Sequence, residues 1–220
     1  MEASRLPDSP VLLQPTGLGE RLRAERKSQH MTVREIARRV GVSPSLISQI
    51  ERDKVNPSVS TLWSLVSVLG LQMGELFSEV PPPRGIEPVA TATSSGPVTA
   101  PGTRSVIDLE TGVRWERLTA AHDAVVEFLT VVYPPGAASC DEDSLVRHGG
   151  KEYGYLLSGR LGVKIGFEEY ELGPGDAISF DAQMPHRLWC IGTRPAIGIW
   201  TIVRRHGDAR QALDHTADGG

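Results

Sequence analysis

Between Thr32 and Asn56 the chain reads TVREIARRVGVSPSLISQIERDKVN, and helical spacing leaves Ser45, Ser48, Gln49 and Arg52 on the outer face of one short helix. Two hydroxyls, an amide and a guanidinium are the groups with which a helix meets donors and acceptors in the major groove of DNA. A second set of chemically capable residues lies far downstream, around His148, Glu152, Gly159 and His186.

The elements that must position the first set are legible in the spacing. Thr32 and Glu35 have the S/T-x-x-E spacing of a capping box, so a helix starts at Thr32. Val33, Ile36, Ala37 and Val40 recur at i, i+3, i+4 and i+7, an apolar stripe on one face. Gly41 suits the positive φ that follows a last helical turn. Ser43 is a good N-cap and Pro44 fits the first helical position. Ile47 and Ile50 then face inward, bordered by Leu46. Asn56-Pro57 closes the region. Ser58 caps another helix with Val59, Leu62, Leu65, Val66 and Leu69 on its stripe. Upstream, Leu18 and Leu22 mark a first helix carrying Arg21, Arg23, Arg26 and Lys27; Met73–Phe77 is expected as a short fifth.

With those motifs in view, residues 17–78 resemble the Xre family of helix-turn-helix regulators, typified by phage repressors. The resemblance implies a five-helix, lambda-repressor-like domain whose second motif helix reads DNA. It places Ser45, Ser48 and Gln49 at base edges, where Gln pairs bidentately with adenine. Thr32, Arg34, Ser43, Arg52, Lys54 and Asn56 complete the expected DNA-facing set. The family's glutamine just after the preceding cap is Val33 here. Its pairing of a helix-1 Arg with a recognition-helix Glu maps onto Arg26 and Glu51.

The formal net charge of −4 argues at first against nucleic acid, but it is unevenly spread. Residues 17–80 hold nine Lys/Arg and seven Asp/Glu, which gives +2, whereas residues 105–204 hold nine and fourteen, which gives −5. Domain charge governs phosphate contact. A +2 domain binds weakly alone, so a homodimer is expected on double-stranded DNA. Cys140 and Cys190 stand far apart and in no CxxC pair, which fits a reducing cytoplasm. The N-terminal segment lacks a basic region followed by a long apolar run, and no stretch approaches the roughly 20 apolar residues of a membrane span.

Residues 1–16 and 206–220 read as flexible tails, 17–80 as the helical domain and 104–205 as a second domain. Residues 81–103, rich in Pro, Gly, Ser and Thr, read as a linker that must carry any signal between the two. Beyond it the period changes from 3.6 to 2. Short candidate strands run over 113–118, 125–133, 153–157, 161–165, 169–172, 177–180, 186–191 and 197–203, separated by Gly- and Pro-bearing turns. Such spacing predicts a sandwich or barrel.

His148-Gly-Gly-Lys-Glu152 with Gly159, then Gly175-Asp176 and Pro185-His186, resembles the two cupin motifs, over residues 112–203. The resemblance implies an all-β double-stranded β-helix, or jelly roll, so the fold class is multidomain α + β. It also implies a metal held at the positions of Val146, His148, Glu152 and His186, of which Val146 cannot ligate. The remaining two imidazoles and one carboxylate suit a divalent ion such as Zn, Fe, Mn or Ni. Without metal they would line a polar pocket for a small-molecule effector. Cys190 falls on the inward face with His186 and joins the expected pocket. Arg147 and Arg187 each flank a His and could meet an anion at the pocket's rim, with a solvent-exposed Arg as the default for both, whereas Trp189 and Trp200 are expected as core or interface residues.

The combined reading is a cytoplasmic, dimeric, DNA-binding regulator with a sensing cupin domain and no catalytic residues. Two alternatives stand beside it: a cupin isomerase or dioxygenase tethered to DNA, and a cupin that only dimerises.

Overall fold

The computed structural model describes residues 17–77 and 97–204. The expected tails, 1–16 and 206–220, and most of the expected linker lie outside the described residues. Four α-helices open the chain: α1 (Leu18–Ser28), α2 (Val33–Val40), α3 (Pro44–Ile50) and α4 (Val59–Leu69). The starts of α2, α3 and α4 follow from side-chain caps, whereas α1 begins at Gly17 without one. Thr32 Oγ1 accepts from Glu35 N, Ser43 Oγ from Leu46 N and Ser58 Oγ from Thr61 N, each at 3.1 Å. The Glu35 carboxylate turns to Arg39 Nη2 at 2.8 Å, so the capping box is only half made. Gly41 and Gly70 end α2 and α4 at φ 81° and 65°, where a Cβ would be strained. The fifth helix, Met73–Phe77, is a 3-10 turn and not an α-helix. Five residues are too few to repeat an α turn, and the Glu75 carboxylate accepts from Gln72 N at 2.5 Å to close it. Leu22, Ile36, Ile47, Ile50, Leu62 and Leu65 are almost fully buried between these helices.

Nine strands follow: β1 (Val106–Asp108), β2 (Arg114–Arg117), β3 (Val126–Tyr133), β4 (Lys151–Ser158), β5 (Leu161–Ile165), β6 (Glu168–Leu172), β7 (Ala177–Asp181), β8 (His186–Cys190) and β9 (Ala196–Val203). Every expected strand forms, and β1 is an addition that three residues were too short to signal. The larger sheet runs β1-β2-β3-β9-β4-β7 and the smaller β6-β5-β8, with every named pair antiparallel. Burial alternates along β4, β8 and β9, so Glu152, Gly154 and Leu156 face inward while Tyr153, Tyr155 and Leu157 face solvent. The expected linker end is not featureless: Pro101–Thr103 form a 3-10 turn before β1.

The helical unit docks on the barrel. Ser60 N donates to Ser139 O at 3.2 Å and Glu110 N to Pro57 O at 2.9 Å. Around the 3-10 turn, Gly74 N donates to the buried Glu127 Oε1 at 2.7 Å, and Arg117 Nη1 donates to Gly74 O at 3.3 Å. A Cβ on Gly74 would run into His122 and Glu127, so this contact requires glycine.

Candidate DNA-reading face and interdomain cavity

On the helical domain, α2 and α3 meet at the Gly41-Val42-Ser43 turn, and α3 is held from behind. The Arg26 guanidinium grips the Glu51 carboxylate with two hydrogen bonds, Nε–Oε1 at 2.5 Å and Nη2–Oε2 at 2.8 Å, and its Nη1 donates to Met31 O at 2.7 Å. Both partners are buried, and the hydrogen bond to Glu51 raises the Arg26 pKa despite desolvation. With Ile47 and Ile50 inward, the outer side of α3 offers Ser45 and Gln49 exposed and Ser48 half-buried. Thr32, Arg34, Ser43, Arg52, Lys54 and Asn56 are exposed around them. Arg52 Nε donates to Ser48 O at 2.9 Å, which ties that side chain along the end of α3.

In the barrel, β4 delivers Glu152, β8 delivers His186, and the loop before β4 delivers His148. His148 Nε2 lies 2.7 Å from Glu152 Oε1 and His186 Nε2 lies 3.3 Å from the same oxygen. One ligand-capable atom from each of the three falls within 4.8 Å of the others. The second carboxylate oxygen, Oε2, accepts from Trp200 Nε1 at 2.6 Å. Burial alone would raise the Glu152 pKa, but the hydrogen bonds and charge of His148 and His186 outweigh it and hold the carboxyl well below its usual range. Burial would likewise lower His186, and the bond to Glu152 overrides it, so His186 is raised above 6.5.

The second nitrogen of each ring is also committed. His148 Nδ1 lies 3.1 Å from Gly149 O and His186 Nδ1 lies 2.9 Å from Met184 O. A carbonyl only accepts, so each Nδ1 carries its proton. A neutral ring then aims its Nε2 lone pair at the Glu152 carboxylate. A proton on Nε2, or a cation between the groups, is what this geometry calls for.

Val146 sits where the resemblance predicted a missing ligand. It is buried and forms an isolated bridge with His186, Val146 N donating to His186 O at 2.8 Å and His186 N to Val146 O at 2.9 Å. Around this centre lies a small, partly open cavity of about 30 Å³. Aromatic walls dominate it: Trp115, Tyr133 and Trp200 from the barrel, and Trp63 from α4. The Trp63 indole stacks on the His148 imidazole with centroids 3.7 Å apart and planes 9° apart. Trp115 Nε1 is buried beside the Tyr133 hydroxyl and makes no hydrogen bond of good geometry among the described residues.

Several expectations need correction. Cys190 faces inward as expected, but its thiol turns to Arg194 O at 3.2 Å and does not line the cavity. Four residues along an extended strand carry it too far from His186. Arg147 Nε donates to Gln183 O at 3.2 Å and Arg187 Nε to Cys140 O at 3.0 Å, so neither points at the centre. Trp200 belongs to the site as well as the core. Trp63 escaped sequence reasoning altogether. The available signal was that Val59 and Trp63, one turn apart, form an edge of an apolar stripe too broad for a helix packed on one side only.

Comparison with known proteins places both halves. Residues 22–76 match a helix-turn-helix family and residues 129–202 match the cupin domain family. The chain is 28% identical over 192 residues to the HTH-type transcriptional regulator PuuR of Escherichia coli, spanning 86% of this chain and 93% of that one. The chain is a helix-turn-helix transcriptional regulator with a cupin domain. A 62-residue segment is also 37% identical to the immunity repressor protein of Bacillus phage phi105, covering 28% of the regulator and 43% of the repressor. An HTH_3 family transcriptional regulator from Vibrio cholerae shares the fold at 22% identity and TM-score 0.59, over 87% of this chain and 97% of its own. No helix among the described residues is long and apolar enough to cross a membrane.

Proposed function

We propose that this regulator reads its operator through Gln49, Ser45 and Ser48. Thr32, Arg34, Ser43, Arg52, Lys54 and Asn56 hold the flanking backbone, and the His148–Glu152–His186 cavity is the effector site. The observation that carries the second half is the convergence of three donor atoms in a small, largely apolar cavity touching the DNA-binding domain. The donor set fits a divalent ion: each imidazole presents Nε2 while Nδ1 is held by a carbonyl, and Trp200 orients the carboxylate. His148, Glu152 and His186 would hold the ion, which when bound supplies positive charge and positions open to an acceptor oxygen. Trp115 Nε1, held only loosely beside the Tyr133 hydroxyl, would offer such an oxygen a hydrogen bond. These features support a small organic acid as effector. Metal analysis of the purified protein, with a thermal-shift screen of organic acids on wild type and Trp115→Phe, tests the assignment, because a ligand of the folded state raises its melting temperature. Stabilisation of wild type that weakens in Trp115→Phe is expected. An equal shift in both removes the indole from the site.

The working form in this reading is a cytoplasmic homodimer. Support comes from the outer face of the larger sheet, where Phe128, Tyr153, Tyr155 and Leu157 are 38–48% exposed. Phe128 and Tyr153 both pair with Thr201, which makes one cross-strand row. A contiguous apolar patch of this kind suits a second copy of the same face. Sedimentation of Tyr155→Asp should show a monomer where wild type shows a dimer, and an unchanged dimer would move the interface elsewhere.

A further inference from the structure

The cavity lies between the domains, not within one. Its floor and walls belong to the barrel, but its roof is Trp63, seated on the face of His148, with Val59 one turn earlier on α4. The start of α4 is tied to the barrel through Ser60 N to Ser139 O and Glu110 N to Pro57 O. Only the segment from Glu51 to Ser58 separates α3 from α4, so roof and recognition helix belong to one short stretch of chain. A metal ion approaches the Nε2 edges of the imidazoles and leaves the His148–Trp63 stack in place. An organic molecule cannot do the same. The free space of about 30 Å³ holds about one water molecule, whereas small-molecule sites run to roughly 300–1,000 Å³.

We propose that Trp63 is a roof residue that couples the cavity to DNA: the closed form binds DNA, and an organic effector enters only by lifting Trp63, and α4 with it, off His148. This rests on reading the cavity as the effector site. It replaces the expected linker relay with direct contact between domains. By linkage, anything that stabilises the closed form favours DNA, and DNA in turn favours closure.

The test uses the full chain, a duplex selected in vitro from random sequence by the wild-type protein, and carbethoxylation of His148 by diethyl pyrocarbonate followed by mass spectrometry. Two variants open the interface from different places. Trp63→Ala removes the roof. Gly74→Glu pries the 3-10 turn from His122 and Glu127, touching neither the cavity lining nor the exposed face of α3, and carries the test alone should Trp63→Ala fail to fold. Each variant should raise the His148 modification rate at least tenfold with exposed His30 unchanged, and should weaken duplex binding at least tenfold. Saturating duplex should slow His148 modification in wild type. Unchanged duplex affinity in Gly74→Glu, or a His148 rate indifferent to duplex, overturns the coupling. An organic acid that stabilises wild type yet leaves duplex affinity untouched also overturns it, while the effector-site reading stands. If all the expected rates appear but no organic acid stabilises the protein, the effector-site reading falls and the coupling survives.

Discussion

Each domain buries one carboxylate at its functional centre, and the partners differ in kind. Glu51 faces a guanidinium that keeps its proton at any physiological pH, in a two-bond fork with no freedom left. Glu152 faces two imidazoles, side chains of the kind that can take up a proton or a metal, while Trp200 holds its other oxygen. The first arrangement is a fixed clamp that lets α3 present its chemistry outward. The second is a centre whose charge can change, placed inside. On the proposed reading, permanence suits the element that must keep its shape on DNA, and exchange suits the element that must respond.

The largest expected effect breaks the clamp. Glu51→Ala leaves the Arg26 guanidinium buried without its partner, which costs about 3–5 kcal/mol and should lower the melting temperature of the helical domain with no DNA present. Replacing both, Arg26→Met with Glu51→Leu, should recover most of that loss, since the penalty lies in the unpaired charge. If the double variant melts as low as the single one, the pair does more than satisfy itself.

The same operation on the other carboxylate should read out in metal and not in the helical domain. Glu152→Gln keeps the shape and removes the charge. Losing a neighbour that merely orients a metal ligand costs about 10–100-fold in affinity, so losing a ligand should cost at least about 100-fold for Zn(II). Val146→His, bridged to His186 across the strands, should add a fourth donor and raise affinity instead. Calorimetry of both variants checks this pair. Unchanged affinity in Glu152→Gln would remove the metal from the reading.

How much of this was legible follows from how local each signal is. Caps and stripes are written within four residues, so α1–α4 were readable, and so were the capped starts of α2, α3 and α4. Alternation is written within two, so each strand of useful length was readable, and with it the shared face of Glu152, Gly154 and Leu156. Convergence of His148, Glu152 and His186 came from motif resemblance. The Trp63–His148 stack joins residues 85 positions apart on different domains, and no periodicity encodes that. Arg187 follows His186 on β8, so the same alternation turns it away from the centre and leaves the default of a non-site Arg. Cys190 was right in face and wrong in reach.

On the exposed side the expected effect is moderate. Gln49→Ala should weaken binding to the selected duplex by about 1–3 kcal/mol and relax one base position, because a lost amide contact is replaced by water and not by a buried void. Melting should stay as in wild type. An identical footprint and sequence preference would mean that α3 docks in another orientation.

The smallest effect distinguishes the two carboxylates by pH. His186 is raised above 6.5 in the folded protein, chiefly because its bond to Glu152 outweighs burial. A raised pKa stabilises the fold fully below the unfolded value, and that contribution fades as pH climbs through the folded one. Metal-free protein should therefore lose barrel stability on going from about pH 6 into the mildly alkaline range. The Arg26–Glu51 clamp should hold throughout, since Arg26 is raised still further above a value already out of reach. With Zn(II) present the slope should reverse, because metal and proton compete for the same Nε2 atoms and alkaline conditions favour the metal. Hydrogen exchange in β4 and β8 against α1 and α3, across pH and with or without Zn(II), separates the domains. A helical domain that loosens in step with the metal-free barrel would show that the two carboxylates are not independent, and that the interface under Trp63 passes the barrel's charge state to α4.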